Sequence, residues 1–245
     1  MDSSEVVPSL VVDKLEAGYG GMQVLWGVDV SVLPGEVVVL LGANGAGKTT
    51  LLKTIMGLLP NTGGSVSFDG NRLDAMRPDQ RVRMGISFMS ELGVFPGLSI
   101  EENLRVTGHG LSRKTVTQRL SETWTQFPDL FARRRELAGS LSGGQRKILG
   151  VARTQFRKPR LIVMDEPSAG LSPLFVSQLV DRLIAIHAEQ RMTLLLAEQN
   201  VRFLRLAERI VVIEGGRSRF DGSVEEFEQN ENVKDAFFGI ERMES

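Results

Sequence analysis

An α/β fold is predicted by three features of the 245-residue sequence. Short apolar runs alternate with stretches of helical period, the pattern of strands and helices packed in layers. One run, Val37-Val38-Val39-Leu40-Leu41, is apolar throughout, as strands of a parallel sheet are when both of its faces are covered. A glycine-rich loop follows it directly and opens an apolar-periodic segment at 49–59, which reads as a helix ended by Pro60.

The other elements follow in chain order. Val11, Val12 and residues 22–33 read as early strands of an antiparallel β part, separated by the turn Gly18-Tyr19-Gly20-Gly21. Pro34-Gly35 makes a second turn. Between 72 and 139, charged helical stretches at 101–105 and 113–126 alternate with Gly and Pro breaks, giving an inserted, mostly helical subdomain. Sheet texture resumes at 161–164. A helix at 174–189 carries Phe175, Leu179, Leu183 and Ile186 three or four apart. A strand at 193–197, a helix at 201–207, a strand at 210–213, a Gly215-Gly216 turn and a charged helical tail complete the chain. The expectation is one domain over 1–245, with its core at 1–71 and 140–245 and the helical insert at 72–139.

Composition narrows the function. Apolar residues make up 42% and charged residues 24%, an ordinary globular balance. Lys and Arg total 29 against 30 Asp and Glu, so no general attraction to nucleic acid or anionic membrane exists. There are no cysteines, which excludes disulfides, thiolate catalysis and Cys-ligated zinc. His109 and His187 are far apart and lack metal-ligand spacing. The first residues lack the basic-then-apolar order of a signal peptide. No apolar run approaches the roughly 20 residues of a membrane span.

Gly42-Ala43-Asn44-Gly45-Ala46-Gly47-Lys48-Thr49, with Thr50 behind it, fits G-x-x-x-x-G-K-[ST] at every fixed position. Glycines let successive N–H groups turn towards phosphate oxygens, and the helix N-terminus adds partial positive charge. Lys48 can reach β- and γ-phosphates, and the Thr49 hydroxyl can hold Mg²⁺. Leu161-Ile162-Val163-Met164 ends in Asp165-Glu166. At the C-terminal end of a parallel strand, Asp165 would lie beside Mg²⁺ and Glu166 near the γ-phosphate, placed to orient or deprotonate water. Leu141-Ser142-Gly143-Gly144-Gln145 precedes a helix that Ser142 could cap.

In chain order these motifs, at 42–49, 141–145 and 161–166, resemble the Walker A, signature and Walker B motifs of ATP-binding cassette (ABC) ATPases, over about residues 10–227. The resemblance implies a P-loop NTPase core of the ABC type and Mg²⁺-dependent ATP hydrolysis. It implies adenine stacking on Tyr19. It also implies a head-to-tail dimer, in which each ATP lies between one chain's Walker A loop and Ser142 to Gln145 of a second cassette, identical or paralogous.

Three positions depart from the general family pattern. In Phe88-Met89-Ser90-Glu91-Leu92-Gly93-Val94-Phe95-Pro96, Ser90 takes the place of the Gln that contacts Mg²⁺, or Glu91 does with a one-residue shift. Ala197-Glu198-Gln199-Asn200 offers Gln199 where many cassettes have a γ-phosphate-sensing His. Ser172 replaces an Asp after Walker B. The last two departures, with Val94-Phe95-Pro96, resemble the importer branch for branched-chain amino acids and related solutes, including urea and amides. That likeness implies permease partners, an indirect solute-binding protein and a peripheral place on the cytoplasmic face of the inner or plasma membrane. Leu92, Val94, Phe95, Pro96 and Leu98 form an apolar patch suited to the permease. An exporter or assembly cassette, or a nucleotide switch with weak hydrolysis, is the alternative.

Overall fold

The computed structural model describes residues 7–91, 93–231 and 234. Two sheets and a group of helices form three layers. The first sheet is antiparallel and contains β1 (Leu10–Tyr19), β2 (Met22–Val32), β4 (Asn61–Phe68) and β5 (Asn71–Arg72), in the order β2-β1-β4-β5. The second contains β3 (Val37–Leu41), β6 (Ile86–Met89), β7 (Leu161–Asp165), β8 (Leu194–Glu198), β9 (Arg209–Glu214) and β10 (Arg217–Ser223), in the order β10-β9-β3-β8-β7-β6. Its strands run parallel except β10, which pairs antiparallel with β9.

The pleat of β3 explains its unbroken apolar sequence. Side chains alternate faces along a strand. Val37, Val39 and Leu41 enter the core shared with the helices, whereas Val38 and Leu40 enter the core shared with the antiparallel sheet. β7 and β8 divide the same way: Ile162, Met164, Leu194 and Leu196 face the helices, and Leu161, Val163, Leu195 and Ala197 face the other sheet.

Helix α1 (Lys48–Ile55) packs within the second of these cores, and its last turn is closed by an arginine. Arg81, 3% exposed on α2 (Pro78–Arg83), donates to the carbonyls of Thr54 at 2.8 Å and Ile55 at 2.7 Å. It also donates to Leu73 at 2.8 Å and Met76 at 3.0 Å. The carbonyls at a helix C-terminus lack intrahelical partners, and a cation there also meets the negative end of the helix dipole.

The remaining helices are α3 (Ile100–Thr107), α4 (Arg113–Gln126), α5 (Pro128–Ala132), α6 (Gly143–Gln155), α7 (Pro173–Gln190) and α8 (Val224–Gln229). α3 and α4 are started by the side chains of Ser99 and Ser112, which accept from Glu102 N–H and Thr115 N–H.

The structure corrects several expected boundaries. β6 lies inside the 72–139 span yet pairs with β7 in the central sheet, so the helical insert begins beyond Met89. α1 ends at Ile55 rather than reaching Leu59. Residues 201–205 form a 3-10 turn rather than an α-helix. A strand, β10, precedes the helical tail, and β4 follows Pro60 without having been anticipated.

Replacing Arg81 by Ala should lower unfolding free energy by about 3 kcal/mol, because four carbonyls lose a charged donor. Urea denaturation of the two proteins measures this difference.

Candidate functional site

The loop between β3 and α1 is shaped by close main-chain approaches. A Cβ on Gly42 would stand 2.4 Å from the Ile213 carbonyl oxygen. Gly47 has φ +109°, and a Cβ there would stand 2.9 Å from Leu25 Cδ2. Side chains are thus excluded at both positions, and the backbone turns sharply into the helix. Ala46 N–H bonds the Ala43 carbonyl at 3.2 Å. The N–H groups of Gly45, Gly47, Lys48, Thr49 and Thr50 have no acceptor among the described residues. Free amides at a helix N-terminus favour an anion.

Lys48 is 3% exposed, and its Nζ donates to the carbonyls of Gly42 at 2.6 Å and Ala43 at 3.1 Å. The Glu166 carboxylate lies 3.5 Å from the same nitrogen. Burial lowers the Lys48 pKa, and Glu166 opposes that shift. Thr49 Oγ1 donates to Asp165 Oδ1 at 2.9 Å. Burial raises the Asp165 pKa, with the Thr49 hydrogen bond acting against it. Walker A and Walker B residues, more than a hundred positions apart in sequence, are therefore in direct contact.

Glu166 occupies the left-handed region, with φ +45°. Its N–H donates to the Ala197 carbonyl at 2.9 Å, which ties it to β8. Ser90 directly follows β6, whose last residue, Met89, stands opposite Met164, the residue before Asp165 in β7. Gln199 Nε2 donates to Asn44 Oδ1 at 3.2 Å, bringing the switch position onto the phosphate loop. Tyr19 ends β1 half-exposed, with the Lys53 ammonium of α1 6.0 Å from its ring centre.

Ser142 Oγ accepts from Gln145 N–H at 3.3 Å, while Gln145 Oε1 accepts from Ser142 N–H at 3.1 Å. This reciprocal pair starts α6 as expected. Gly144 lets α6 sit on Phe175, where a Cβ would lie 2.7 Å from Phe175 Cδ1. Among the described residues, no hydrogen bond or ion pair joins 142–145 to 42–50. The signature and the phosphate loop are not brought together within one chain.

Of the expected apolar patch, Leu92 lies outside the described residues, and Val94 is buried in the core. Phe95 is 47% exposed, with the Arg153 guanidinium 4.5 Å from its ring centre. Buried Asn103 braces this loop, accepting from Phe95 N–H at 2.8 Å and donating to the Phe95 carbonyl at 2.9 Å.

Sequence reasoning assigned no role to Glu198. Its carboxylate is 1% exposed and accepts from Ser168 N–H (2.7 Å), Ser168 Oγ (2.8 Å), Gln199 N–H (3.2 Å) and Asn200 N–H (3.3 Å). Burial raises its pKa, and the Ser168 hydrogen bonds oppose the rise. One carboxylate thus joins the loop after Walker B to the switch segment. The available signal was a Glu ending an otherwise apolar strand.

Residues 25–169 match the family model described as ABC transporter. The chain is 34% identical to a probable branched-chain amino acid transport ATP-binding protein, LivF, of Archaeoglobus fulgidus, over 93% of this chain and 97% of that one. It is 35% identical to the high-affinity branched-chain amino acid transport ATP-binding protein BraG of Pseudomonas aeruginosa, over 94% and 99%. Among solved structures, a nucleotide-free ATP-binding cassette from an ABC transporter superposes with TM-score 0.82 at 23% identity, covering 94% of this chain and 98% of that one. That last likeness shows the fold.

Replacing Glu198 by Ala should strand the part-buried N–H groups of Ser168, Gln199 and Asn200, at a cost of about 1–3 kcal/mol. Hydrogen exchange should speed up at 168–172 and 199–200 before it does in β3.

Proposed function

This chain belongs to the ABC transporter family, and from that membership we propose that it is the ATP-hydrolysing subunit of a membrane importer for branched-chain amino acids or related small polar solutes. The contact of Thr49 with Asp165, beside the approach of Lys48 to Glu166, carries the reading. It sets a phosphate cradle, two hard oxygen ligands and a carboxylate at one point.

In this reading the triphosphate nests on the free amides of 45 and 47–50, with Lys48 turning to the β- and γ-oxygens. Thr49 and Asp165 hold Mg²⁺, with Ser90 or Glu91 beside them. No group of three or more His, Cys, Asp or Glu suited to a metal occurs among the described residues. That suits Mg²⁺, which is commonly bound through one or two carboxylates plus substrate phosphates. Charge neutralisation at the phosphates is the chemistry it supplies when bound. Glu166 takes a proton from water as the water oxygen bonds to the γ-phosphorus and the bond to the β–γ bridging oxygen breaks, giving ADP and phosphate. Gln199 leaves Asn44 to donate its amide N–H to the γ-phosphate, a neutral donor in place of an imidazolium. Tyr19 stacks on adenine. Ser142 to Gln145 of a second cassette close the site from the other side.

The exposed Phe95 ring, on its braced loop, is the proposed seat of the permease. Among the described residues, no helix is long and apolar enough to cross a membrane. Attachment through permeases would place the subunit on the cytoplasmic face of the inner or plasma membrane. The relatives' role in branched-chain amino acid transport favours an importer over an exporter or assembly cassette.

Glu166→Gln should still bind ATP with Mg²⁺ and dimerise, while turnover falls by about 100-fold or more, the range for loss of a general base. Phosphate release and size-exclusion chromatography with ATP test this together. Wild-type turnover in that variant would refute the assigned base. Leucine uptake by vesicles containing the cassette and permeases, compared with urea uptake, tests the solute class.

A further inference from the structure

Lys147 is a buried cation that the proposed chemistry leaves unused. It lies on α6, 8% exposed, one turn beyond the signature glycines. Gly144, Lys147, Val151 and Thr154 recur at helical spacing, and all are buried. The lysine therefore occupies a position of the inward stripe, where an apolar residue would be expected. Burial lowers its pKa, against the attraction of Glu91, Glu198, Glu166 and Asp165.

Its ammonium is engaged by main chain. Lys147 Nζ donates to the Glu91 carbonyl at 2.8 Å and to the Glu166 carbonyl at 3.3 Å. One side chain thus joins the signature helix, the segment after β6 and the end of Walker B. The Glu166 end matters most. A left-handed backbone at a residue with a Cβ is unfavourable and persists only where its surroundings over-determine it. Glu166 N–H is fixed to Ala197 O at 2.9 Å, and its carbonyl also accepts from Ala169 N–H at 3.1 Å. Lys147 supplies a charge-assisted hold on that same carbonyl, and so restrains the peptide plane from rotating. The direction of the Cα–Cβ bond, and hence of the carboxylate, depends on that plane.

We propose that Lys147 is a positioning residue: by holding the Glu166 carbonyl it keeps the left-handed backbone that aims the Glu166 carboxylate at the phosphate loop, and it makes that aim depend on where the signature helix lies. This rests on the reading of Glu166 as the base. A hold on the base affects turnover rather than nucleotide binding, and it acts only while the carboxylate is present.

The test is a double-mutant cycle in the full chain with Lys147→Met, Glu166→Gln and the pair. Steady-state ATP turnover, binding of trinitrophenyl-ATP and amide exchange over 166–171 are measured. Lys147→Met should lower kcat by on the order of 10- to 100-fold, the scale of a displaced reacting group, with KM for ATP within roughly twofold. Exchange at Ala169 should accelerate. In the Glu166→Gln background the same change should leave residual turnover as it was, because the group it aims is gone. Lys147→Gln, too short to reach both carbonyls, serves the same cycle should Lys147→Met melt below the assay temperature. Wild-type kcat in the lysine variant would overturn the proposal while leaving ATP hydrolysis intact. So would an equal proportional loss in the Glu166→Gln background. A wild-type chain that turns over no ATP would instead overturn the hydrolytic reading, and the positioning role with it.

Discussion

Buried charge at one edge of the central sheet is the constraint on which the site depends. Lys48 and Lys147 are almost wholly buried, as are Asp165 and Glu198, and Glu166 is only partly exposed beside them. None of the buried groups could stay ionised alone, since an isolated charge taken out of water is strongly disfavoured. They persist because each is compensated. Lys48 lies on two carbonyls and near Glu166, Asp165 accepts from Thr49, Lys147 lies on two carbonyls, and Glu198 accepts four hydrogen bonds. The strand termini of β3, β7 and β8 bring these partners together, and the register of Leu41 with Glu198 and Asp165 with Ala197 fixes their spacing.

The network also explains how separate segments behave as one unit. Asn44 meets Gln199, the residue after Glu198; Glu198 holds Ser168; and Glu166 is held by Lys147 from the signature helix. A ligand that changed the position of Gln199 would act on a segment already anchored to the loop after Walker B.

Much of this was legible in the sequence, and what escaped has physical reasons. β3 and β7 announced themselves because both faces are covered, so no polar residue interrupts them. The phosphate loop was legible because its glycines answer to local backbone geometry. β4 was hidden by Gly63 and Gly64, which carry no strand signal. β10 was hidden because it lies at the sheet edge and mixes Arg217, Arg219 and Asp221 with one Phe. The insert boundary was set too early because β6 is only four residues long. Arg81, Lys147 and Glu198 were missed for a shared reason. A charged residue is assigned to solvent by default, and only the tertiary structure supplies the carbonyls and amides that make its burial tolerable.

The alternation along β3 bears on how this gene tolerates change. Exchanging one aliphatic residue for another there alters the packing around that one side chain. Losing one codon is different in kind: it shifts the phase of the strand, so the set now facing the helices would face the antiparallel sheet and the reverse. The glycine loop would then leave the pleat half a repeat early, with Gly42 no longer beneath Ile213 O. Substitution and deletion at the same codon thus probe separate properties, the first volume and the second parity.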